Sequence, residues 1–232
     1  MEKEEIVRKG YDKLAEKYQI IRQAFDNKRE LGEFTSLLPK KAKVLDAGCG
    51  TGVPVAKFLV ENGFDVTGID FSKNMIKLAS KNVPKARFVL KDMTKLDFKA
   101  DSFDGLTAFY SIIHVPREKH FLTFQSFHRI LKPDGMMLIC LGPDEWEATD
   151  KYYGTEMFWS HYDAKKSLQL VRKAGFEIIS DNVLTRGGER HYWILARNKK
   201  KISSIDDAHT ASAKKHSRRS RRRHKGQDAS FF

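Results

Sequence analysis

A chain of 232 residues, 41% hydrophobic and 11% aromatic, is too apolar to be wholly disordered and long enough for one α/β domain with appendages. Its longest apolar run, residues 136–141, cannot span a bilayer, and the charged start Met1-Glu2-Lys3-Glu4-Glu5 leads into no secretory signal, so the expectation is a soluble, intracellular, cytoplasmic protein. The 43 Lys+Arg outnumber the 30 Asp+Glu for a net +13, a balance that points first towards nucleic acid.

Ile6, Tyr11, Leu14, Tyr18 and Ile21 recur near helical spacing and predict a helix over 4–25, within an N-terminal helical cap over 1–42. Residues 43–46 read as a short strand running into Ala47-Gly48-Cys49-Gly50-Thr51-Gly52. A helix follows, with Pro54 in its first turn and Gly63 just past its end. The next strand is 64–70, and Ser72 is the expected N-cap of a helix reaching Asn82. Residues 87–90 and 104–109 give two more strands, and a helix over 119–131 leads to the turn Lys132-Pro133-Asp134-Gly135. The run 136–141 is a fifth strand, apolar enough for burial on both faces. After an aromatic-rich segment, 142–163, come a helix over 164–174, Gly175 as its stop, and strands at 176–180 and 191–197. Arg186-Gly187-Gly188 is a turn signal between these last two. Repeated strand–helix units imply a mainly parallel sheet with helices on both faces and an antiparallel hairpin at one edge.

Most of the charge excess lies at the far end. Residues 199–232 hold 11 Lys+Arg against 3 Asp+Glu and almost no apolar periodicity, which predicts a disordered basic tail. The first 198 residues carry only +5.

A strand ending in an acid, then Gly48-x-Gly50-x-Gly52, then a helix, has the form of a nucleotide-type loop. Glycines there admit positive φ and close approach of a ligand, and the helix start offers free N–H groups to a negative group. Asp70 closes the second strand 18 residues beyond Gly52, where a carboxylate can accept hydrogen bonds from two ribose hydroxyls. A dinucleotide loop would need glycine at Val53, but the third glycine comes one residue earlier. Val44-Leu45-Asp46-Ala47-Gly48-Cys49-Gly50-Thr51-Gly52 resembles motif I of the class I S-adenosylmethionine (SAM)-dependent methyltransferases. Gly68-Ile69-Asp70-Phe71-Ser72 resembles their second motif, Lys91-Asp92-Met93 the third, and Leu131-Lys132-Pro133-Asp134-Gly135 the turn before their fifth strand. Tyr11-Asp12-x-x-Ala15-x-x-Tyr18 resembles the helix that many small-molecule members fold over the cofactor. The stretches 109–118 and 159–163 are similar to those of a bacterial-type, small-molecule branch (methyltransferase 11/25-like).

The resemblance implies a Rossmann-like, doubly wound α/β fold with a mainly parallel seven-stranded sheet, a single SAM-binding domain over 43–198 followed by the tail. It implies SAM as cofactor and S-adenosylhomocysteine as product. Gly48, Gly50 and Gly52 would line the methionine part of SAM, and Asp46 would order the loop. Asp70 would bind the ribose with Phe71 against the adenine, and Asp92 would reach the adenine amine while Met93 packs on the ring. Tyr18 and Tyr11 would close over the methionine end, and Tyr110 would border both cofactor and substrate. Local readings stand beside these: Asp70 can cap a helix, Asp92 can close a loop, and Phe71 and Met93 can be core. Packing of one helix face accounts equally well for Tyr11 and Tyr18.

Methyl transfer from a sulfonium asks a protein to hold a nucleophile in line and exclude water, and an O or N nucleophile can also need a base. Histidine suits that role. His114 follows the fourth strand, at the carboxyl edge where open α/β sheets bind ligands, and is the candidate catalytic residue, with Tyr110 beside it at the substrate pocket and a purely structural histidine as the competing reading. Trp146, Trp159 and His161 in the aromatic segment, and His191 at the last strand, are further substrate-contact candidates, with packing as the competing role for each. Asp144, Glu145 and Glu147 offer either a field for a cationic amine or a solvated face.

The Asp/Asn-Pro-Pro-aromatic motif of amino methyltransferases is absent after the fourth strand, and neither Cys49 nor Cys140 has the Pro-Cys setting of cytosine-C5 enzymes. Two cysteines support neither a disulfide framework nor a thiolate zinc site, and no other metal-ligand spacing is present. The expected function is methyl transfer to a small molecule, without a membrane partner. The alternatives are RNA- or protein-directed transfer anchored by the tail over 199–232, itself a candidate nuclear-targeting sequence, and a SAM-binding module without catalysis.

Overall fold

The computed structural model describes residues 2–22 and 25–200. The expected basic tail therefore lies, from residue 201 onward, outside the described residues. Two helices come first, α1 (Lys3–Arg22) and α2 (Lys28–Ser36). They lead into β1 (Lys43–Ala47), α3 (Val55–Glu61), β2 (Asp65–Asp70), α4 (Lys73–Asn82), β3 (Arg87–Leu90) and β4 (Phe103–Ala108). Two short 3-10 turns, Ile112–His114 and Arg117–Lys119, precede α5 (His120–Ile130) and β5 (Leu131–Leu141). A hairpin of β6 (Trp146–Tyr152) and β7 (Thr155–His161) is followed by α6 (Ala164–Lys173), β8 (Phe176–Arg186) and β9 (Glu189–Asn198).

Strands β1 to β5, β8 and β9 form a seven-stranded sheet in the order β3-β2-β1-β4-β5-β9-β8. The pairs among β1–β5 are parallel, while β9 runs antiparallel between β5 and β8. This is the doubly wound, Rossmann-like α/β arrangement expected from the repeated strand–helix units. Successive residues of the central strands feed two cores. Leu45, Ile69, Leu106 and Ile139 pack with Phe124, Phe127 and Val171 on one face. Val44, Val66, Leu138 and Cys140 pack with Leu31, Phe34 and Leu59 on the other. A strand buried on both faces has no solvent side to alternate with, which is why 136–141 reads as a continuous apolar run.

Six elements, in four parts of the chain, differ from their sequence expectations. Helix α2 is short, contains Gly32 and presents only Leu31 and Phe34 as apolar anchors, so it leaves little periodic signal. Strand β5 begins five residues early: Leu131 pairs with Phe103, then the register jumps to Gly105↔Met136, and the Lys132–Gly135 turn bulges out with Asp134 at φ 60. Strands β8 and β9 extend well beyond 176–180 and 191–197, because backbone pairing carries the polar run Ser180-Asp181-Asn182. The segment 142–163 is chiefly the two-stranded β6–β7 sheet, turned at Tyr153 and Gly154 with φ of 49 and 83. That two-residue, positive-φ turn is a hairpin signal carried by only one glycine.

A third, smaller cluster joins α1 to the hairpin: Val7 and Leu14 pack on Met157 and Phe158, flanked by Tyr11, Tyr18, Phe71, Tyr152 and Trp159. Gly10 makes the approach possible, since a Cβ there would fall 2.6 Å from Met157 Sδ and 2.9 Å from the Glu156 carbonyl oxygen. On its other side α1 is tied to α4, where Asp12 Oδ1 accepts from Ser72 Oγ at 2.6 Å. Forcing a side chain into the α1–β7 seam should loosen only this satellite cluster. Gly10→Leu is expected to speed amide exchange across residues 3–22 about tenfold while β1 and β4 keep wild-type protection. Uniform loss of protection in all three elements, by hydrogen exchange and mass spectrometry, would refute a separable cluster.

Candidate functional site

The strand order reverses between β1 and β4, which opens a crevice at the carboxyl ends of the parallel strands. The chain turns that crevice into a cavity of about 900 Å³ including the open solvent at its mouth. Tyr11, Tyr18, Asp46, Gly48, Gly50, Asp70, Phe71, Asp92, Met93, Tyr110 and His114 all line it. Of the residues assigned to a cofactor from sequence, only Gly52 does not. Its φ is +75, and a Cβ would sit 3.2 Å from Phe88 and Val83, so it serves the packing of the loop on β3 and α4.

The loop after β1 is shaped by backbone and carboxylate bonds. Gly48 and Cys49 both donate to the Ile69 carbonyl, at 2.8 and 2.9 Å. Gly50 N–H donates to Asp70 Oδ2 at 3.0 Å, and Ser72 N–H donates to Asp70 Oδ1 at 2.9 Å. Gly48 has φ +75 and no room for a side chain, because a Cβ would lie 2.3 Å from Ser111 Cβ. Ser72 accepts from Met75 N–H at 3.2 Å and so caps α4 as expected. Asp70 thus shapes the loop and faces the cavity as well; each carboxylate oxygen has a further lone pair to offer.

Asp46 is buried beneath the loop. Its Oδ1 accepts from Thr107 Oγ1 at 2.9 Å, whereas Oδ2 has no partner among the described residues. Burial pushes Asp46 up to about 7, opposed by the Thr107 bond and reinforced by the Asp70 charge. Burial likewise pushes Asp70 up to about 6, opposed by the Ser72 and Gly50 N–H groups. Asp92 Oδ1 accepts from the backbone N–H and hydroxyl of Thr94, both at 2.8 Å. Beside Asp92, the half-buried Phe71 and Met93 add apolar surface to the cavity wall.

The cavity also contains a cation that the sequence reading did not single out. Arg22, 6% exposed, belongs to none of the ion pairs among the described residues and lies 3.6 Å over the Tyr110 ring and 4.1 Å over that of Phe25. It follows Tyr18 by one helical turn, a spacing that marks the same face of α1. Tyr110 itself has φ 54, uncommon for an aromatic residue, and is held there by its N–H bond to Cys140 Sγ (3.0 Å) and by Asn27 Nδ2 donating to its hydroxyl (3.0 Å).

His114 differs from its expected role as an available base. Its Nδ1 lies 2.7 Å from the Phe158 carbonyl oxygen and its Nε2 2.7 Å from the Tyr11 hydroxyl. Both ring nitrogens are engaged, and burial pushes the imidazole down to about 4. The other substrate candidates form an aromatic wall beside the cavity instead of lining it. Trp159 lies 5.7 Å from His114, Trp146 stacks on Trp159 at 5.4 Å, and His161 meets Trp146 at 6.1 Å. His191 sits edge-on to Tyr110 at 4.6 Å. Asp144, Glu145 and Glu147 pair with Arg190, Arg117 and Lys3, so they belong to surface ion pairs. Among the described residues no group of three or more His, Cys, Asp or Glu side chains is arranged to hold a metal ion, and no helix is long and apolar enough to cross a membrane.

Comparison with known proteins agrees with this architecture. A family profile described as a methyltransferase domain matches residues 44–135, from β1 through the turn inside β5. The Bacillus subtilis protein YqeM, named as a methyltransferase, is 28% identical over 168 residues, covering 66% of this chain and 67% of that protein. Phosphoethanolamine N-methyltransferase 3 of Arabidopsis thaliana is 33% identical over 156 residues, 62% of this chain but only 31% of the plant protein. In structure, the Burkholderia thailandensis 1,6-didemethyltoxoflavin-N1-methyltransferase, solved with its substrate and S-adenosylhomocysteine, superimposes with TM-score 0.68 at 21% identity, over 84% of this chain and 88% of that one. Residues 44–135 thus carry a methyltransferase domain, on the fold of solved SAM-dependent methyltransferases. The chain is a methyltransferase, with SAM as cofactor.

The cavity's polar groups fit such a cofactor. The Asp46 carboxylate oxygen without a partner among the described residues matches an ammonium, the Arg22 guanidinium, in no ion pair among those residues, matches a carboxylate, and the side-chain-free Gly48 and Gly50 leave room against the backbone. Between about pH 4 and their folded values of about 6 and about 7, Asp70 and Asp46 hold protons in the folded protein that the unfolded chain has released. Their contribution to stability is therefore present at low pH and lost as pH rises through about 6 to 7. A cationic ligand favours the ionised forms, so SAM affinity is expected to rise from about pH 5 to about pH 8 and then level off. Asp46→Asn should flatten that rise, weaken SAM binding about tenfold, and stabilise the ligand-free protein at pH 8 by on the order of 2 kcal/mol. Calorimetric titrations and thermal melts across that range check all three; a flat wild-type profile would contradict the assignment of the buried acids.

Proposed function

We propose that the chain transfers the SAM methyl group to a small-molecule acceptor held between the end of β4, α1 and the β6–β7 hairpin. Enclosure is the observation that most favours this reading. Helix α1 lies across the cavity, with Glu4, Val7, Tyr11, Tyr18 and Arg22 all in its wall, and is fastened by a Glu4–Lys119 ion pair and by the packing of Val7 and Leu14 on the hairpin. A nucleic-acid strand needs an open basic groove for its backbone, whereas a small molecule needs an enclosed site with a few convergent polar groups. The relatives named above for phosphoethanolamine and for a toxoflavin precursor carry small acceptors in their names.

In this reading Asp46 would take the ammonium of the cofactor and Arg22 its carboxylate. Asp70 would accept from the ribose hydroxyls, and Asp92 from the adenine amine, with Phe71 and Met93 against the ring. When bound, SAM supplies a methyl carbon already activated by its sulfonium. The chain's own part is to fix positions and keep water out: Val7, Tyr11, Tyr18 and Tyr110 would shield the methionine end, and the Trp146–Trp159 wall would bound the acceptor.

The test is to supply methyl-labelled SAM with a metabolite extract, with RNA and with protein, using the full chain and a chain ending at Lys200. Lys200 is retained because its Nζ bonds Asp101 and the Arg129 and Leu131 carbonyls. Label is expected in the metabolite fraction with both chains, and Asp70→Ala should weaken SAM binding by about tenfold to a hundredfold. Label confined to RNA or protein, and only with residues 201–232 present, would overturn the small-molecule reading.

A further inference from the structure

His114 carries two hydrogen bonds whose directions can be assigned without seeing a proton. Its Nδ1 faces the Phe158 carbonyl oxygen at 2.7 Å, and a carbonyl can only accept, so the ring proton sits on Nδ1. In the neutral imidazole Nε2 is then a bare lone pair, and the Tyr11 hydroxyl at 2.7 Å must donate to it. Tyr11 has one hydroxyl proton. Once that proton is committed to His114, the phenol oxygen offers only lone pairs to anything else in the cavity that both residues line.

The three partners come from three different elements. Tyr11 is on α1, His114 on the 3-10 turn after β4, and Phe158 on β7. The imidazole is 8% exposed, so competition from water is small and a lost partner is not replaced freely. Trp159 at 5.7 Å and the Tyr11 ring at 5.3 Å hold the imidazole plane from two sides.

We infer that His114 is a positioning residue: it fixes the Tyr11 hydroxyl as an acceptor-only group that favours the positively charged sulfonium of SAM over the neutral thioether of S-adenosylhomocysteine. The inference rests on the cofactor reading above and deepens it. A phenol free to rotate would present its proton or its lone pairs according to the ligand and would discriminate less between the two. With its proton on His114, Tyr11 can offer Tyr18 and any ligand in the cavity it lines only the negative end of its hydroxyl dipole, which stabilises a cation. The same geometry leaves His114 no free nitrogen with which to take a proton from an acceptor.

The experiment measures dissociation constants for SAM and for S-adenosylhomocysteine by calorimetry on the wild type, Tyr11→Phe, His114→Asn, His114→Gln and the Tyr11→Phe/His114→Asn double variant. Tyr11→Phe and His114→Asn are each expected to weaken SAM about tenfold and S-adenosylhomocysteine less than about twofold, with the double variant no weaker than either single within about twofold. An asparagine amide keeps a donor near the Nδ1 position but loses the acceptor for Tyr11. A glutamine oxygen near Nε2 restores that acceptor, so His114→Gln should retain the wild-type preference for SAM even if overall affinity falls. Equal weakening of both ligands in Tyr11→Phe and His114→Asn would reduce His114 to a structural support and overturn the inference. So would a double variant weakened by the product of the single effects, or a His114→Gln chain without the preference. A wild type that binds both ligands with no change in any variant refutes this inference alone; a wild type that binds neither refutes the cofactor reading beneath it.

Discussion

The site depends on one carboxylate that is bonded twice to the main chain. Asp70 accepts Gly50 N–H on one oxygen and Ser72 N–H on the other, which fastens the glycine loop to the end of β2 and to the first turn of α4. Ser72 in turn donates its hydroxyl to Asp12, so the same linkage reaches α1. A path of three side chains therefore sets the helix that closes the cavity in register with the loop that forms its floor. The positive φ of Gly48 and Gly50 follows from this constraint, because the loop must turn within a few residues to bring Gly50 N–H back to Asp70.

The arrangement conflicts with stability in the ligand-free protein. Two acids sit buried near one another, one with an oxygen that nothing among the described residues satisfies, while a buried guanidinium of the same cavity wall rests on aromatic faces and has no carboxylate partner among those residues. Left unpaired, buried charges are costly, and the upward shifts of Asp46 and Asp70 are how the protein limits that cost. A ligand with a positive and a negative end relieves both kinds of group at once. Closure adds to this, since packing α1 on the hairpin excludes water and strengthens each of these interactions. Gly10 and the small core around Met157 thereby connect a feature of packing to the electrostatics of the site.

The strand–helix alternation and the cavity floor were legible in the sequence because each depends on local pattern. The glycine loop and the acid ending β2 have the motif's spacing, and the structure places Gly48, Gly50 and Asp70 on one crevice, with Ser72 capping α4 next along the chain. Less legible were features fixed by partners distant in the chain. Arg22 reads as an ordinary helix-surface cation until Tyr110, 88 residues further on, is seen beneath it. Thr107, which holds Asp46, carries no motif of its own. The hairpin over 146–161 escaped because its turn has Tyr153 in a conformation more typical of Asn or Gly, and its aromatics suggested a pocket wall more than a strand pair. The position of His114 after β4 is legible in the sequence, whereas a role as a base needs a free nitrogen, and the Tyr11 and Phe158 contacts engage both.

That last point bears on how the site can catalyse. The groups that reach the cavity most closely are committed: His114 to two partners, Asp70 to two backbone N–H groups, and Tyr110 to Asn27. His191, beyond Tyr110, has an Nδ1 without a partner among the described residues, but burial pushes it down to about 4, which makes it a weak proton acceptor. A methyl group on a sulfonium already has a good leaving group, so the remaining barrier concerns alignment and desolvation more than proton movement. A cavity walled by a fastened helix and by side chains fixed in orientation addresses that barrier directly. In the reading proposed above, catalysis accordingly rests on holding the two reactants in line in a dry site, and His114 would contribute by what it keeps still.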